Sequence, residues 1–361
     1  MNTEKTLTAI KKYYQQACED QGLAEQHLAG AGAVFQLETQ LKQHYNKKYA
    51  LCVSNATTGL LAIALALNLK QAEFITTPYT YGASLSGFLL LENRPIFAEV
   101  DPQTLTLDPE SVRQQITPHT RAILAVDIYG YPCNQASLRQ IADEYGLWYI
   151  ADAAQSLGAY REGIPASALA DALVVSFTVG KTVFAGEGGA IITDNEELYQ
   201  KLVWLTQHPY RQKRDIGLFL TNQFALNGRI HPLAAVIANA VFADSLQQLN
   251  EYQKWCFQVI DALNEIGLTA KIDLQSQEII PSFFKLVNKW HKEAQEADLL
   301  KELEKYDISV NLQPLAMQSL SKHPAFIAEY EHLLGSNQNM NSFNEADYFY
   351  LLKGENRTLV N

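Results

Sequence analysis

Between residues 50 and 200, short apolar runs alternate with longer stretches whose apolar positions recur at helical spacing. The runs lie at 50–53, 74–76, 96–100, 122–126, 148–151, 172–177 and 190–193. Continuous apolar runs of this length predict strands buried on both faces. The segments between several of them, 58–69, 82–91 and 135–145, read as helices. Strand–helix alternation predicts an α/β domain with a mostly parallel sheet covered by helices on both sides. Residues 1–48 are polar and helix-prone, with Phe35, Leu37 and Leu41 at helical spacing. A long helical pattern over 226–249 begins near Pro232, a good first-turn residue. After residue 279 the pattern predicts a smaller α+β unit. It has a strand near 283–287, a charged helix near 292–306 and a strand near 308–311. From about residue 325 the chain is polar and its pattern predicts no element. The expected division is a large domain over 1–245, N-terminal helices included, and a small C-terminal α+β domain over 246–361.

Composition narrows the function. The chain has 361 residues, 47% hydrophobic, with a net charge of −11. An acidic balance argues against a nucleic-acid binder, although backbone amides can still hold an anion in an acidic protein. No stretch approaches 18 uninterrupted apolar residues, and the N-terminus lacks a signal-peptide core, so no membrane partner and a cytoplasmic location are expected. The cysteines Cys18, Cys52, Cys133 and Cys256 are scattered and read as reduced thiols. No paired His or Cys spacing points to a metal site.

Four segments carry candidate chemistry, each with a plain structural alternative. Ser54-Asn55-Ala56-Thr57-Thr58-Gly59 follows a strand and opens an apolar helix. It reads as a phosphate cradle of backbone N–H groups or as a simple N-cap. Asp152 ends an apolar strand, where it could pair with a protonated ring nitrogen or cap a helix. Ser176-Phe177-Thr178-Val179-Gly180-Lys181 runs toward Gly186-Glu187-Gly188-Gly189. Lys181 there is either an amine nucleophile or an ordinary surface charge. Thr77-Pro78-Tyr79-Thr80-Tyr81 offers an aromatic face for a planar ring, or a core tyrosine. Together the four supply what a pyridoxal-phosphate (PLP) site needs: phosphate anchor, ring stack, pyridinium partner and amine.

These motifs resemble the DegT/DnrJ/EryC1/StrS aminotransferases, fold-type I PLP enzymes that mostly aminate nucleotide-activated keto-sugars. The resemblance rests on the Ser-Phe-x-x-x-Lys spacing of Ser176 to Lys181 and on Gly186-Glu187-Gly188-Gly189. It rests also on Asp152-Ala153-Ala154-Gln155, Tyr129-Gly130-Tyr131-Pro132 and Asn227-Gly228-Arg229. It implies that Lys181 carries the cofactor as a Schiff base and then shuttles the proton. It implies that Asp152 pairs with the pyridinium nitrogen, Gln155 contacts the phenolic oxygen and Tyr81 stacks on the ring. Ala56, Thr57 and Ser176 would hold the phosphate, and Asn227 would reach the phosphate of a neighbouring subunit in a homodimer. The implied activity moves an amino group from glutamate or glutamine to a keto-sugar or related ketone. The chain departs from the family at Thr178-Val179-Gly180, where His-Pro-Thr or His-Ala-Thr is frequent, at Asp127, often histidine, and at Pro209, where glycine is common. These positions neighbour the substrate side. A PLP-dependent dehydratase and a non-catalytic regulatory paralogue are the alternatives. Lys181 argues against the first, since such dehydratases carry histidine there, and the Lys181–Asp152 pair argues against the second. A nicotinamide-binding fold is disfavoured because no GxGxxG follows the first strand.

Overall fold

A computed structural model describes residues 3–19, 26–291, 295–315, 318–334 and 345–354. Two helices lead in, α1 (Thr3–Glu19) and α2 (Ala33–Tyr45). On α2 the buried positions include Leu37 and Leu41, whereas Phe35 lies exposed beneath the Lys42 ammonium. The expected apolar stripe is therefore narrower by one residue.

The chain then alternates. It passes through β1 (Tyr49–Val53), α3 (Ala56–Ala66), β2 (Glu73–Thr76), α4 (Ala83–Leu89) and β3 (Arg94–Phe97). It continues through α5 (Pro109–Gln114), β4 (Thr120–Val126), α6 (Gln135–Tyr145) and β5 (Trp148–Asp152). The short strands β6 (Tyr160–Arg161) and β7 (Ile164–Pro165) precede β8 (Ala172–Ser176) and β9 (Gly189–Thr193). Seven of these strands form one sheet in the order β1-β9-β8-β5-β4-β2-β3. β8, β5, β4, β2 and β3 run parallel, while β9 lies antiparallel to both of its neighbours. The mostly parallel sheet is thus as the alternation predicts. All of β8 and β9 is buried, so their apolar runs show no alternation.

The geometry of β9 matters for the site. The carboxyl ends of the other six strands share one edge, and the reversed β9 brings its own first residue, Gly189, to that edge.

After β9 come α7 (Glu196–Thr206), α8 (Pro209–Ile216) and α9 (Pro232–Ile266). The last is 35 residues long and much exceeds its predicted end. Nothing interrupts it until Gly267, whose φ of 71° closes it in the left-handed region. The expected division at 245/246 falls inside this helix. Its first half packs with the sheet core, through Ala235, Ala238 and Val241. Its second half packs with the C-terminal elements, through Cys256, Val259 and Leu263.

Beyond α9 the chain forms β10 (Ile279–Ile280), β11 (Leu286–Lys289), α10 (Glu296–Glu304), β12 (Val310–Pro314), α11 (Pro324–Tyr330) and β13 (Tyr348–Lys353). β11 starts later than its apolar pattern predicts because Phe283 has φ of 50°, which no strand ladder accepts. Part of the expected helix near 292–306 lies outside the described residues. The segment after 325, where no element was predicted, contains α11 and also β13, the central strand of the sheet β11-β13-β12. Among the described residues no helix is long and apolar enough to cross a membrane. Cys52, Cys133 and Cys256 are buried, and Cys18 carries no described side chain.

Candidate active site

The loops leaving β1, β2, β4, β5 and β8 converge at the carboxyl edge of the sheet, where parallel sheets place ligands. They enclose a cavity of about 160 Å³. Its wall includes Ala56, Thr57, Tyr81, Asp152, Gln155, Ser176 and Lys181. Seven of the eight residues expected at the site are therefore brought together from segments up to 125 positions apart. Asn227 is exposed, outside that wall, on the stretch between α8 and α9.

One end of the cavity is a cradle. The N-cap Asn55 accepts the Thr58 N–H through Oδ1 at 2.8 Å, which starts α3. The Ala56 and Thr57 N–H groups, in the first turn, have no carbonyl four residues back to donate to. Gly189 approaches this turn so closely that a Cβ on it would stand 2.7 Å from the Ala56 nitrogen. Asn55 therefore caps the helix, and the Ala56 and Thr57 amides stand where an anion could accept from them. The Ser176 hydroxyl lies 2.8 Å from the Thr178 hydroxyl at the same end.

Asp152 is 7% exposed, and its Oδ1 accepts the Ala154 N–H at 3.0 Å. Gln155 spends its Oε1 on the Tyr129 N–H at 2.6 Å, leaving its amide NH2 free to donate. Lys181 follows β8 by five residues, and its Nζ stands 4.6 Å from the centre of the Phe284 ring. Burial lowers the Lys181 pKa from its ordinary value, and the Asp152 carboxylate partly opposes the shift. A neutral amine is thereby favoured, the form a nucleophile needs. Tyr81 is 76% exposed and forms part of the rim.

Three further residues surround the site, of which only Asp127, directly after β4, shares the strand-end signal. Phe284 reaches Lys181 from the C-terminal unit, 103 positions away. Asp127, fully buried, accepts the Cys133 N–H and the Ser156 and Ser167 hydroxyls, binding the loops behind the cavity. Burial raises its pKa, and those three bonds pull the other way. Lys285 lies on the adjoining cleft.

The residues fit pyridoxal phosphate on their own chemistry: unpartnered first-turn amides, a buried carboxylate and a desolvated lysine in one enclosed space. Fold and cavity together suit a PLP-binding protein of fold type I. Residues 9–345 match the DegT/DnrJ/EryC1/StrS aminotransferase family, and the chain belongs to it. It is 28% identical over 298 residues to the UDP-2-acetamido-2-deoxy-3-oxo-D-glucuronate aminotransferase of Pseudomonas aeruginosa, covering 81% of each chain. It is 30% identical over 203 residues to the GDP-perosamine synthase of Vibrio cholerae, covering 56% of this chain and 54% of that protein. The chain thus spans about half the length of that curated relative. A structure of NtdA from Bacillus subtilis with bound PMP superposes with a TM-score of 0.76 at 22% identity, over 98% of this chain and 78% of that one, a likeness of fold.

Proposed function

We propose that this protein transfers an amino group from an amino-acid donor, glutamate or glutamine, to the keto group of a nucleotide-activated sugar or related polyhydroxylated ketone. The observation that carries this reading is Lys181 and Asp152 facing one small cavity that opens, past Lys181, onto a cleft of about 1320 Å³. The small compartment suits a cofactor and the large one a bulky second substrate. The names of the two curated relatives, both sugar-modifying, support the acceptor class.

In this reading the Ala56 and Thr57 amides and Ser176 hold the phosphate, and the helix N-terminus adds its partial positive charge. Asp152 holds a proton on the ring nitrogen. Gln155 donates to the phenolic oxygen, and Tyr81 covers the ring. The cofactor supplies an electron sink for the carbon that gains or loses a proton. Lys181 Nζ takes that proton and returns it, acting as base and then acid at one position. Because one amine serves both halves of the exchange, donor and acceptor enter in turn. A homodimer completes the reading. Asn227 reaches a partner's phosphate from the stretch that also exposes Phe219, Leu220 and Phe224.

The test is direct. Protein loaded with PLP and reduced by borohydride is expected to carry the cofactor on Lys181, located by peptide mass spectrometry. An amino-acid screen, read as loss of the Lys181-bound cofactor's yellow absorbance, identifies the donor. A Lys181→Ala protein that kept full transamination would sink the proposal.

A further inference from the structure

Lys285 lies on the large cleft together with Lys181. Its Nζ stands 4.2 Å from the centre of the Tyr350 ring and 5.1 Å from that of Tyr129. Among the described residues no carboxylate lies within ion-pair distance of it. Aromatic faces offset part of the cost of desolvating an ammonium, but they carry no net charge and leave it un-neutralised. A half-buried cation so placed still attracts a negative group, and the cleft it lines is also lined by apolar Leu89, Leu320 and Phe326. Burial also lowers the Lys285 pKa.

Its position is fixed from two sides. The Lys285 N–H donates to the Tyr129 carbonyl at 3.3 Å, and the Ser282 N–H donates to the Gly130 carbonyl at 3.0 Å. The Tyr129 N–H in turn donates to Gln155. Gly130 has φ of 84°, and a Cβ there would run into the Ser282 hydroxyl. The Lys285 backbone is thereby tied to the loop that holds Gln155. Lys285 lines the large cleft and is not on the wall of the small cavity.

We infer that Lys285 is an anion-recognising residue of the substrate cleft, taking an oxyanion of a reacting partner: a carboxylate of the amino-acid donor or the diphosphate of an activated sugar. This deepens the aminotransferase reading and rests on it.

The experiment uses calorimetric binding to the PLP-loaded protein, with 2-oxoglutarate as the carboxylate probe and UDP, dTDP and GDP as diphosphate probes. Wild type, Lys285→Met and Lys285→Arg are compared. Lys285→Met keeps the apolar stem and is expected to weaken one probe class about tenfold or more, with the cofactor's absorbance unchanged. Lys285→Arg keeps the charge and is expected to bind within a few-fold of wild type. Loss confined to 2-oxoglutarate assigns the donor carboxylate, and loss confined to a nucleotide assigns the diphosphate. Both support the inference. Unchanged affinity for every probe that wild type binds overturns it. So does binding of none of the probes by wild type, or a Lys285→Arg protein that is folded by circular dichroism yet binds as poorly as Lys285→Met. Cofactor attachment at Lys181 is read separately, so failure here and failure of the aminotransferase reading are distinguishable.

Discussion

Gly189 shows how one hydrogen atom can govern a site. A methyl group there would press on the Ala56 nitrogen, the Asn55 carbonyl carbon and the Val175 carbonyl oxygen, all backbone and none able to rotate away. Gly189→Ala is expected to push the α3 turn off β9. Stability should fall by about 1–3 kcal/mol, and affinity for PLP, titrated by absorbance, about tenfold. Asp152 and Lys181 make a second pair of outcomes. The carboxylate raises the Lys181 pKa against the stronger lowering by burial. Asp152→Asn is therefore expected to move the pH midpoint for cofactor attachment downward, while transamination drops roughly 10²–10³-fold for want of the ring-nitrogen partner. His44 gives a pH effect on stability. Burial lowers its pKa from 6.5 to about 4, and its Nε2 has no hydrogen-bond partner among the described residues. The folded state keeps it neutral where the unfolded chain takes up a proton. The stability it leaves intact above pH 6.5 is lost progressively as pH falls from about 6.5 to about 4, below which the loss is complete. His44→Phe is expected to flatten that part of a melting-temperature profile.

At this scale the sequence was most legible where the chemistry is local. Lys181, Asp152 and the Ser54–Gly59 turn each sit just past an apolar run, and strand ends are where such residues function. Lys285 and Phe284 were not legible. Their significance comes from the rings and amines they meet across the cleft, and no spacing encodes that.

Among the elements, the firmest link is an ion cluster. Arg211 on α8 is buried and donates to both Glu38 oxygens on α2 at 2.9 Å and to Asp215 at 3.0 Å. Glu38 also accepts the Cys52 N–H of β1 at 2.8 Å. Removing one partner strands a buried charge, so Arg211→Met is expected to cost about 3–5 kcal/mol in denaturant unfolding. Replacing exposed Lys254, paired with Glu251 on the surface of α9, should cost well under 1 kcal/mol. Strand and helix positions in the large sheet follow the apolar runs closely, because a strand buried on both faces must be apolar throughout. The pairing of Glu38 with Arg211, 173 positions apart, has no such trace. β13 was missed because its polar neighbours mask a short strand that needs β11 and β12 on either side.

For the molecule as a whole, Phe219 and Phe224 stand fully exposed, and Leu220 nearly so, on the stretch that carries Asn227. Exposed large apolar side chains on this one stretch are what the proposed dimer would bury. Sedimentation analysis is expected to find a dimer, and Phe219→Ser with Phe224→Ser to shift it toward monomer and weaken PLP retention. A dimer whose cofactor affinity ignored Asn227→Ala would remove that residue from the phosphate site.

The order of apolar runs by itself determined an α/β sheet, the ends of its strands and the four segments that carry chemistry, since burial and helix initiation are local demands on residue type. Tertiary structure alone decided that β9 runs backward and lays Gly189 against the turn at Asn55 and Ala56. It also decided that α9 continues across the expected boundary and that the C-terminal unit brings Phe284 to Lys181 and Lys285 to the cleft that Lys181 also lines. Those outcomes depend on which surfaces meet once the chain closes, and contacts between distant residues are set by packing rather than by any pattern along the chain.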